Sequence, residues 1–340
     1  MTSGLSGFEA PIREKIATEW RPLVDELSVS SLGSLHGLRH GNADRPRPRL
    51  LLSAHMDAIG LMVTGIKKGF LSFTQIGGVD TRILPGQPVT VHGRQDLPAF
   101  VVQPPAQLLP HDSKDHPVKM EYLWIDTGLL EEEVIDQVRV GDRVSFSQPP
   151  LELGSDLVAG HSLDNRASVA AVTYCLQELQ QRTHAWDVWA VASAQEETVL
   201  GGALTSPFQI RPDLAVVIDV TFGKSPISND YKTYSLGKGV TLGWGSNIHP
   251  GLYKIFKELA EKLEIPAEME PMPHHSGTDA MAIQLVSEGI PCMVLGIPLR
   301  YMHTPVEVVS LKDIQRTGRL LAEFIVQLDA GFIQNFSWEE

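Results

Sequence analysis

Leu50-Leu51-Leu52-Ser53-Ala54-His55-Met56-Asp57 decides the fold: an unbroken apolar and small run that ends in a histidine and an aspartate. Such a run, bounded by polar residues, reads as a strand buried on both faces, the kind that builds parallel sheets. The pattern recurs. Val188-Trp189-Ala190-Val191-Ala192 runs toward Glu196, Leu214-Ala215-Val216-Val217-Ile218 runs into Asp219, and Cys292-Met293-Val294-Leu295-Gly296-Ile297 is a fourth run. Between and after them lie helical periodicities. Val169, Val172, Leu176 and Leu179 share one face, as do Leu252, Ile255, Phe256, Leu259 and Leu263. Ser310 is placed to cap a last helix, with Asp313 at the third position and Leu311, Ile314, Leu321, Ile325 and Leu328 inward. Strands alternating with helices predict an α/β fold: a mixed, mostly parallel sheet with helices on both faces.

From Gly60 to about Leu153 the text changes to Gly, Pro and β-branched residues in short alternating groups. Examples are Phe70-Leu71-Ser72-Phe73, Pro88-Val89-Thr90-Val91 and Arg143-Val144-Ser145-Phe146. One short helix fits, near Glu131 to Gln137, where the three glutamates suit a first turn. The Pro-rich piece from Pro104 to Pro117 reads as a surface loop. The expected organisation is therefore a discontinuous α/β domain over 1–59 and 155–340, interrupted by a small β-rich insertion over 60–154.

Bulk properties exclude some functions. The chain has 340 residues, 43% hydrophobic and 20% charged, as in an ordinary globular protein. A formal charge of −13 disfavours a nucleic-acid partner. No apolar run approaches the roughly 20 residues of a membrane span. Cys175 and Cys292 are too few for a disulfide framework and read as small core residues of a reducing compartment. The start of the chain shows no signal-peptide pattern, so the expected location is the cytoplasm.

The chemistry lies in where acidic and imidazole groups fall. His55 and Asp57 follow the first buried strand, Asp164 and Asn165 open a helix, Glu196 and Glu197 follow a strand, Asp219 ends one and His303 follows the last. Strand ends converge where α/β sheets place their ligands. Carboxylates gathered there repel one another and are costly to desolvate, and a cation relieves both.

That order, His-X-Asp, Asp-Asn, Glu-Glu, Asp, His, resembles the cocatalytic zinc peptidases. The surrounding segments narrow the resemblance to the tetrahedral (TET) and glutamyl aminopeptidases, some of which carry a cellulase label. They include Gly4-Leu5-Ser6-Gly7-Phe8-Glu9, Ile76-Gly77-Gly78, Ile125-Asp126-Thr127-Gly128, Gly277-Thr278-Asp279-Ala280 and Arg300-Tyr301-Met302-His303-Thr304-Pro305-Val306-Glu307. Two departures stand in loops: Ser34, where the family usually has Asn, and Val240, where Pro is usual.

The resemblance implies an aminopeptidase acting on the free N-terminus of peptides with two divalent ions per subunit, Zn²⁺ first and Co²⁺ or Mn²⁺ as alternatives. Asp164 would bridge the ions, His55 and Asp219 would complete one, and Glu197 and His303 the other. Paired ions lower the pKa of a water held between them, and Glu196 would be the general base for it. Asp57 would orient the His55 imidazole. Asp279 lies near the site in the family pattern but is equally suited to cap a helix. Arg300 either faces substrate or pairs with a core carboxylate. The Asp164–Asn165 peptide is expected to be cis by the same analogy. The insertion would carry dimer contacts, and dimers would build a hollow dodecamer with sites facing inward. Competing readings are another metal-dependent amidohydrolase or carboxypeptidase of the same clan, an endoglucanase, or a silent scaffold. A carboxylate-pair glycosidase leaves His55, Asp219 and His303 without a purpose. The preferred N-terminal residue, the native metal, the oligomeric state and the roles of His274 and His275 are not readable.

Overall fold

The structure is a computed structural model that describes residues 2–109, 117–226, 228 and 230–336. The chain opens with α1 (Ala10–Trp20), β1 (Glu26–Val29), β2 (Leu35–Arg39) and β3 (Arg49–His55). There follow β4 (Gly60–Lys67), β5 (Phe70–Ile76), β6 (Pro88–His92), β7 (Asp96–Val102), β8 (Trp124–Asp126), α2 (Glu131–Gln137) and β9 (Arg143–Phe146). Next come β10 (Leu151–Leu153), β11 (Leu157–Gly160), α3 (Leu163–Glu178), β12 (Asp187–Ser193), α4 (Glu196–Val199), α5 (Gly201–Ile210) and β13 (Leu214–Phe222). The chain then runs through β14 (Val240–Gly245), α6 (Pro250–Lys262), β15 (Ala267–Met272), α7 (Ala280–Ile283), β16 (Cys292–Arg300), β17 (Glu307–Ser310) and α8 (Leu311–Gln327).

The main sheet has the order β1-β2-β12-β3-β13-β16-β17-β11-β10, with β14 and β15 joined to it at β16. Its centre is parallel, β12 on β3, β3 on β13 and β13 on β16, while both flanks are antiparallel. The four central strands are the four apolar runs of the sequence. Leu50 to His55, Leu214 to Thr221 and Cys292 to Leu299 are buried throughout, as strands covered on both faces must be. One group of helices, α1, α3, α6 and α8, packs together, and α5 with α7 forms another. Val169, Val172, Leu176 and Leu179 all point into the core from α3 or the turn that ends it.

The start of α8 differs from expectation. The Ser310 hydroxyl does not cap the helix; it donates to the Asp156 carboxylate, which also accepts the Lys312 N–H. Asp313 turns inward and accepts the N–H groups of Gly237 and Gly239 at 2.6 and 2.9 Å. Leu311, expected inward, is exposed. Residues two apart on a helix face nearly opposite ways, so burying Asp313 turns Leu311 out. Val240, where the family usually has Pro, donates its N–H to Pro266 O, a bond proline could not make.

The β-rich stretch forms a closed six-stranded barrel, β4-β5-β8-β7-β6-β9, with its own core of Leu61, Val63, Leu71, Val91, Val101 and Ile125 among others. Closure removes free strand edges. Its glutamates act locally: Glu133 accepts the Leu130 N–H and Glu131 the Lys68 N–H. Of the Pro104–Pro117 piece, Ala106–Leu108 forms a 3₁₀ turn, and 110–116 lies outside the described residues.

Candidate metal centre

The parallel core delivers the site residues to one end of the sheet. β3 ends on His55, which pairs in register with Ser193 at the end of β12, three residues before Glu196. On β13, Asp219 lies opposite Gly296 of β16, whose chain continues to His303. Asp164 enters from the first turn of α3, where it and Asn165 are not yet helical and are joined by a cis peptide bond. The loops that aim these groups use left-handed backbone at non-glycine residues: Ser162, Gln195 and His303 have φ of 67°, 63° and 62°. Such backbone is held only where the surroundings over-determine it.

His55, Asp164 and Asp219 form one cluster, and Asp164, Glu197 and His303 another; within each, one ligand atom per residue lies within 4.8 Å of the others. Asp164 is shared. Its Oδ1 lies 3.1 Å from His55 Nε2 and its Oδ2 lies 3.5 Å from His303 Nε2. His55 Nε2 also faces Glu196 Oε2 and Asp219 Oδ1, each at 3.8 Å, and His303 Nε2 faces Glu197 Oε2 at 3.5 Å. One ring nitrogen cannot donate to three carboxylates. Glu197 Oε1 is buried with no hydrogen-bond partner. Nitrogen and carboxylate donors in two overlapping sets, with an orphaned buried oxygen, fit two divalent cations.

The electrostatics say the same. Burial, partly opposed by His55, pushes the Glu196 carboxyl up to about 7. Burial and the neighbouring Asp164 push Glu197 up to about 10. Burial holds Asp219 well above the usual carboxylate range. Asp164 goes the other way: burial would raise it, but hydrogen bonds from His303 and His55 hold it well below. His55 is desolvated, which disfavours its charge, yet Glu196, Asp164, Asp57 and Asp219 together hold it well above its ordinary value. A cluster whose members must retain protons to coexist is one that cations would stabilise.

Asp57 Oδ1 lies 3.5 Å from His55 Nδ1, but its nearer partners are elsewhere. The His55 Nδ1 hydrogen bond is to the Asp57 carbonyl at 3.1 Å, while the carboxylate accepts the N–H groups of Glu196 and Glu197 at 3.0 and 3.1 Å. The start of α4 offers two unsatisfied donors, a stronger claim on a carboxylate than one imidazole. Asp279 neither caps α7 nor lines the cavity. It is buried and accepts the hydroxyls of Ser53 and Ser193, which lie on the strands leading to His55 and Glu196. Arg300 donates from Nε to the Lys224 carbonyl at 2.6 Å rather than to a carboxylate. Both His274 and His275 are exposed; His275 lines the cavity and His274 accepts the Ser246 hydroxyl through its carbonyl. Ser34 accepts the Ala194 N–H just before the paired glutamates.

Sequence reasoning assigned no role to Glu307, which is 1% exposed and accepts the N–H of Asp164 and of His303, both at 3.1 Å. It ties two ligand loops together. Its position at the start of a buried strand was the available signal. Glu9 does the same for Gln195, accepting its N–H at 3.2 Å as well as that of Gly7. Gly78 sits so close to the His303 ring that a Cβ would lie 3.1 Å from Nδ1. The clusters open into a cavity of about 610 Å³ walled by Leu200, Phe222, Met281 and Met302.

Known proteins match the chain over most of its length. A sequence model of the M42 glutamyl aminopeptidase family matches residues 33–320. The chain is 33% identical to the lysyl aminopeptidase of Pyrococcus furiosus over 331 residues, 96% of this chain and 94% of that protein. Among solved structures, the TET aminopeptidase of Thaumarchaeota archaeon SCGC AB-539-E09 superposes with a TM-score of 0.92 at 29% identity, covering 98% and 95% of the two chains. The Pyrococcus horikoshii TET1 peptidase, described as assembling into a tetrahedron or a large octahedral shell, gives 0.83 at 28% identity, covering 96% of each. Matched over most of its length in sequence and in fold, the chain belongs to the M42 aminopeptidase family.

Proposed function

We propose that this chain removes N-terminal residues from peptides with two divalent cations, held by His55, Asp164 and Asp219 on one side and Asp164, Glu197 and His303 on the other. The observation that carries the reading is the shared aspartate: its two oxygens face two different histidines, each in its own cluster. Cations bound there would supply Lewis acidity and lower the pKa of a bound water. The protein's own contribution is proton transfer and positioning. Glu196 Oε2 faces the cluster but belongs to neither ligand set, which leaves its carboxylate free to take a proton from the attacking water and return it to the leaving amine. Asp57 fixes the start of α4 and so aims Glu196 and Glu197 in opposite roles, base and ligand. Asp279, through Ser53 and Ser193, holds the strand ends beneath them. Arg300 is engaged with the Lys224 carbonyl and takes no part in this reading.

The same reading makes the chain a homo-oligomer, as the shell described for the Pyrococcus horikoshii TET1 peptidase suggests, and gives the barrel the contacts between copies. Leu130, Ile135 and Val140 give the barrel an exposed apolar surface.

Hydrolysis of aminoacyl-p-nitroanilides, with and without chelator, tests the proposal. Glu196→Gln is expected to keep the metal and lose about 10²–10⁴-fold in rate. Asp164→Asn is expected to lose metal. Full metal content in the second variant, or near-normal turnover in the first, would remove these assignments.

A further inference from the structure

Besides Glu196, the proposed base, the cavity contains one acidic group that neither ligand set uses. Glu270, on β15, lines it together with the clusters. Its carboxylate is held from both ends: Thr221 Oγ1 donates to Oε1 at 2.6 Å and Thr241 Oγ1 donates to Oε2 at 2.5 Å. Donation to both oxygens favours the carboxylate, but burial outweighs it and pushes the Glu270 carboxyl above its ordinary value, so the group lacks a partner that would draw it into its charged form. The three residues come from three strands, β13, β14 and β15, and the carboxylate reaches across β16 at Gly296. A Cβ on Gly296 would lie 2.1 Å from Thr241 Oγ1 and 2.8 Å from Glu270 Oε2. The sheet therefore makes room for this charge and supplies its donors. What it does not supply is a counter-charge: among the described residues no Lys, Arg or His pairs with Glu270, and its environment is burial and the two hydroxyls.

Thr221 follows Asp219 by two residues on the same strand, so both side chains stand on one face, about 7 Å apart along it. The Glu270 carboxylate thus sits one strand step beyond the site where the reacting bond would lie. Phe222, Met281 and Met302 give the same cavity apolar walls. Apolar walls and a buried carboxyl without a counter-charge in one cavity match a side chain with an aliphatic stem and a cationic tip, whose charge would draw the carboxyl into its ionised form.

We propose that Glu270 selects the substrate by pairing with the cationic tip of a lysine or arginine side chain at the peptide N-terminus. This rests on the aminopeptidase reading above. An N-terminal aspartate or glutamate would meet a like charge, and a leucine would leave the carboxylate desolvated and unpaired.

Two measurements test it. The first is kcat/KM on Lys-, Arg-, Leu- and Glu-p-nitroanilide with the metal-loaded full chain. Lysine or arginine is expected to exceed leucine by tenfold or more, and the Lys-to-Leu ratio is expected to fall at least tenfold in Glu270→Gln, which keeps the size of the side chain. A wild type that prefers glutamate or leucine, or a ratio unchanged in the variant, overturns the proposal. A variant that loses all four substrates alike would instead assign Glu270 to the α-amine and would also overturn it. The second is calorimetric binding of L-lysinamide and L-norleucinamide, which differ in the side-chain ammonium, to the chelated wild-type chain. Tighter binding of lysinamide by tenfold supports the proposal even if no substrate is cleaved, in which case the hydrolytic reading alone fails. Equal binding of the two amides sinks the role of Glu270 even if peptides are hydrolysed.

Discussion

Stripping the cations from this protein should make its stability fall steeply with pH. Without them, Glu197 ionises at about 10 and Glu196 at about 7 in the folded chain, against 4.5 for an ordinary glutamate. Between those limits the folded state binds protons that the unfolded state has released, so stability drops as pH rises, by about 1.4 kcal/mol per unit per group. From about pH 5.5 to 8.5, the two neighbouring acids together contribute on the order of 6 kcal/mol. His55, held well above its ordinary value, adds to the same trend, since its stabilising charge is lost as pH rises through its folded pKa. Asp164, held below its ordinary 3.8, acts only in more acid solution, outside this window. A change of about 6 kcal/mol is a large part of a typical folding free energy, and in a chain of this size it corresponds to about 10 °C in melting temperature. Bound cations keep the carboxylates ionised and remove the dependence. Thermal melts of loaded and chelated protein, at several pH values across this range, check it. The gap between the two should widen with pH. A gap that stays constant, or narrows toward alkaline pH, would refute the argument that these acids are protonated when the cations are gone.

Glu307→Gln leaves one of two backbone donors, Asp164 N–H or His303 N–H, without its carboxylate partner; metal affinity, read by competition with a chelating dye, should fall by about tenfold or more. Asp313→Ala strands the N–H groups of Gly237 and Gly239 beside a buried position and should cost about 2–4 kcal/mol in urea unfolding, with no change in metal content. Light scattering should find an assembly larger than a monomer; a stable monomer would remove the role given to the barrel.

The central strands were legible because their constraint is local. A strand covered on both faces must be apolar at every position, so Leu50 to Ala54 and Leu214 to Ile218 announce themselves without any partner being known. The sheet flanks were not legible. Glu26–Val29 and Leu151–Leu153 are mostly exposed edge strands, and nothing in their residues distinguishes them from loop. The start of α8 misled for a related reason. Ser310 followed by Asp313 satisfies the spacing of a cap, but Asp156 and the Gly237–Gly239 turn, each more than seventy residues away, offer those side chains better partners. Local propensity yields when a tertiary hydrogen-bond partner is available.

The same reasoning explains why the candidate ligands could be proposed from sequence and the residues that hold them could not. Both are acidic groups at strand and helix ends, so residue type does not separate them. Their partners do. Asp57, Glu307 and Asp313 each receive two backbone N–H groups, which give their oxygens hydrogen-bond partners without any ion. Asp164 and Glu197 receive none through their side chains; they face imidazoles and other carboxylates, and one Glu197 oxygen has no partner at all. A carboxylate anchored by amides holds backbone in place, whereas one left facing its own kind needs a cation. Those amide donors lie between 74 and 143 residues away from the acids they satisfy, apart from the four-residue link of His303 to Glu307. No pattern within a short window can show such pairings, and only the folded chain sorts one kind of acid from the other.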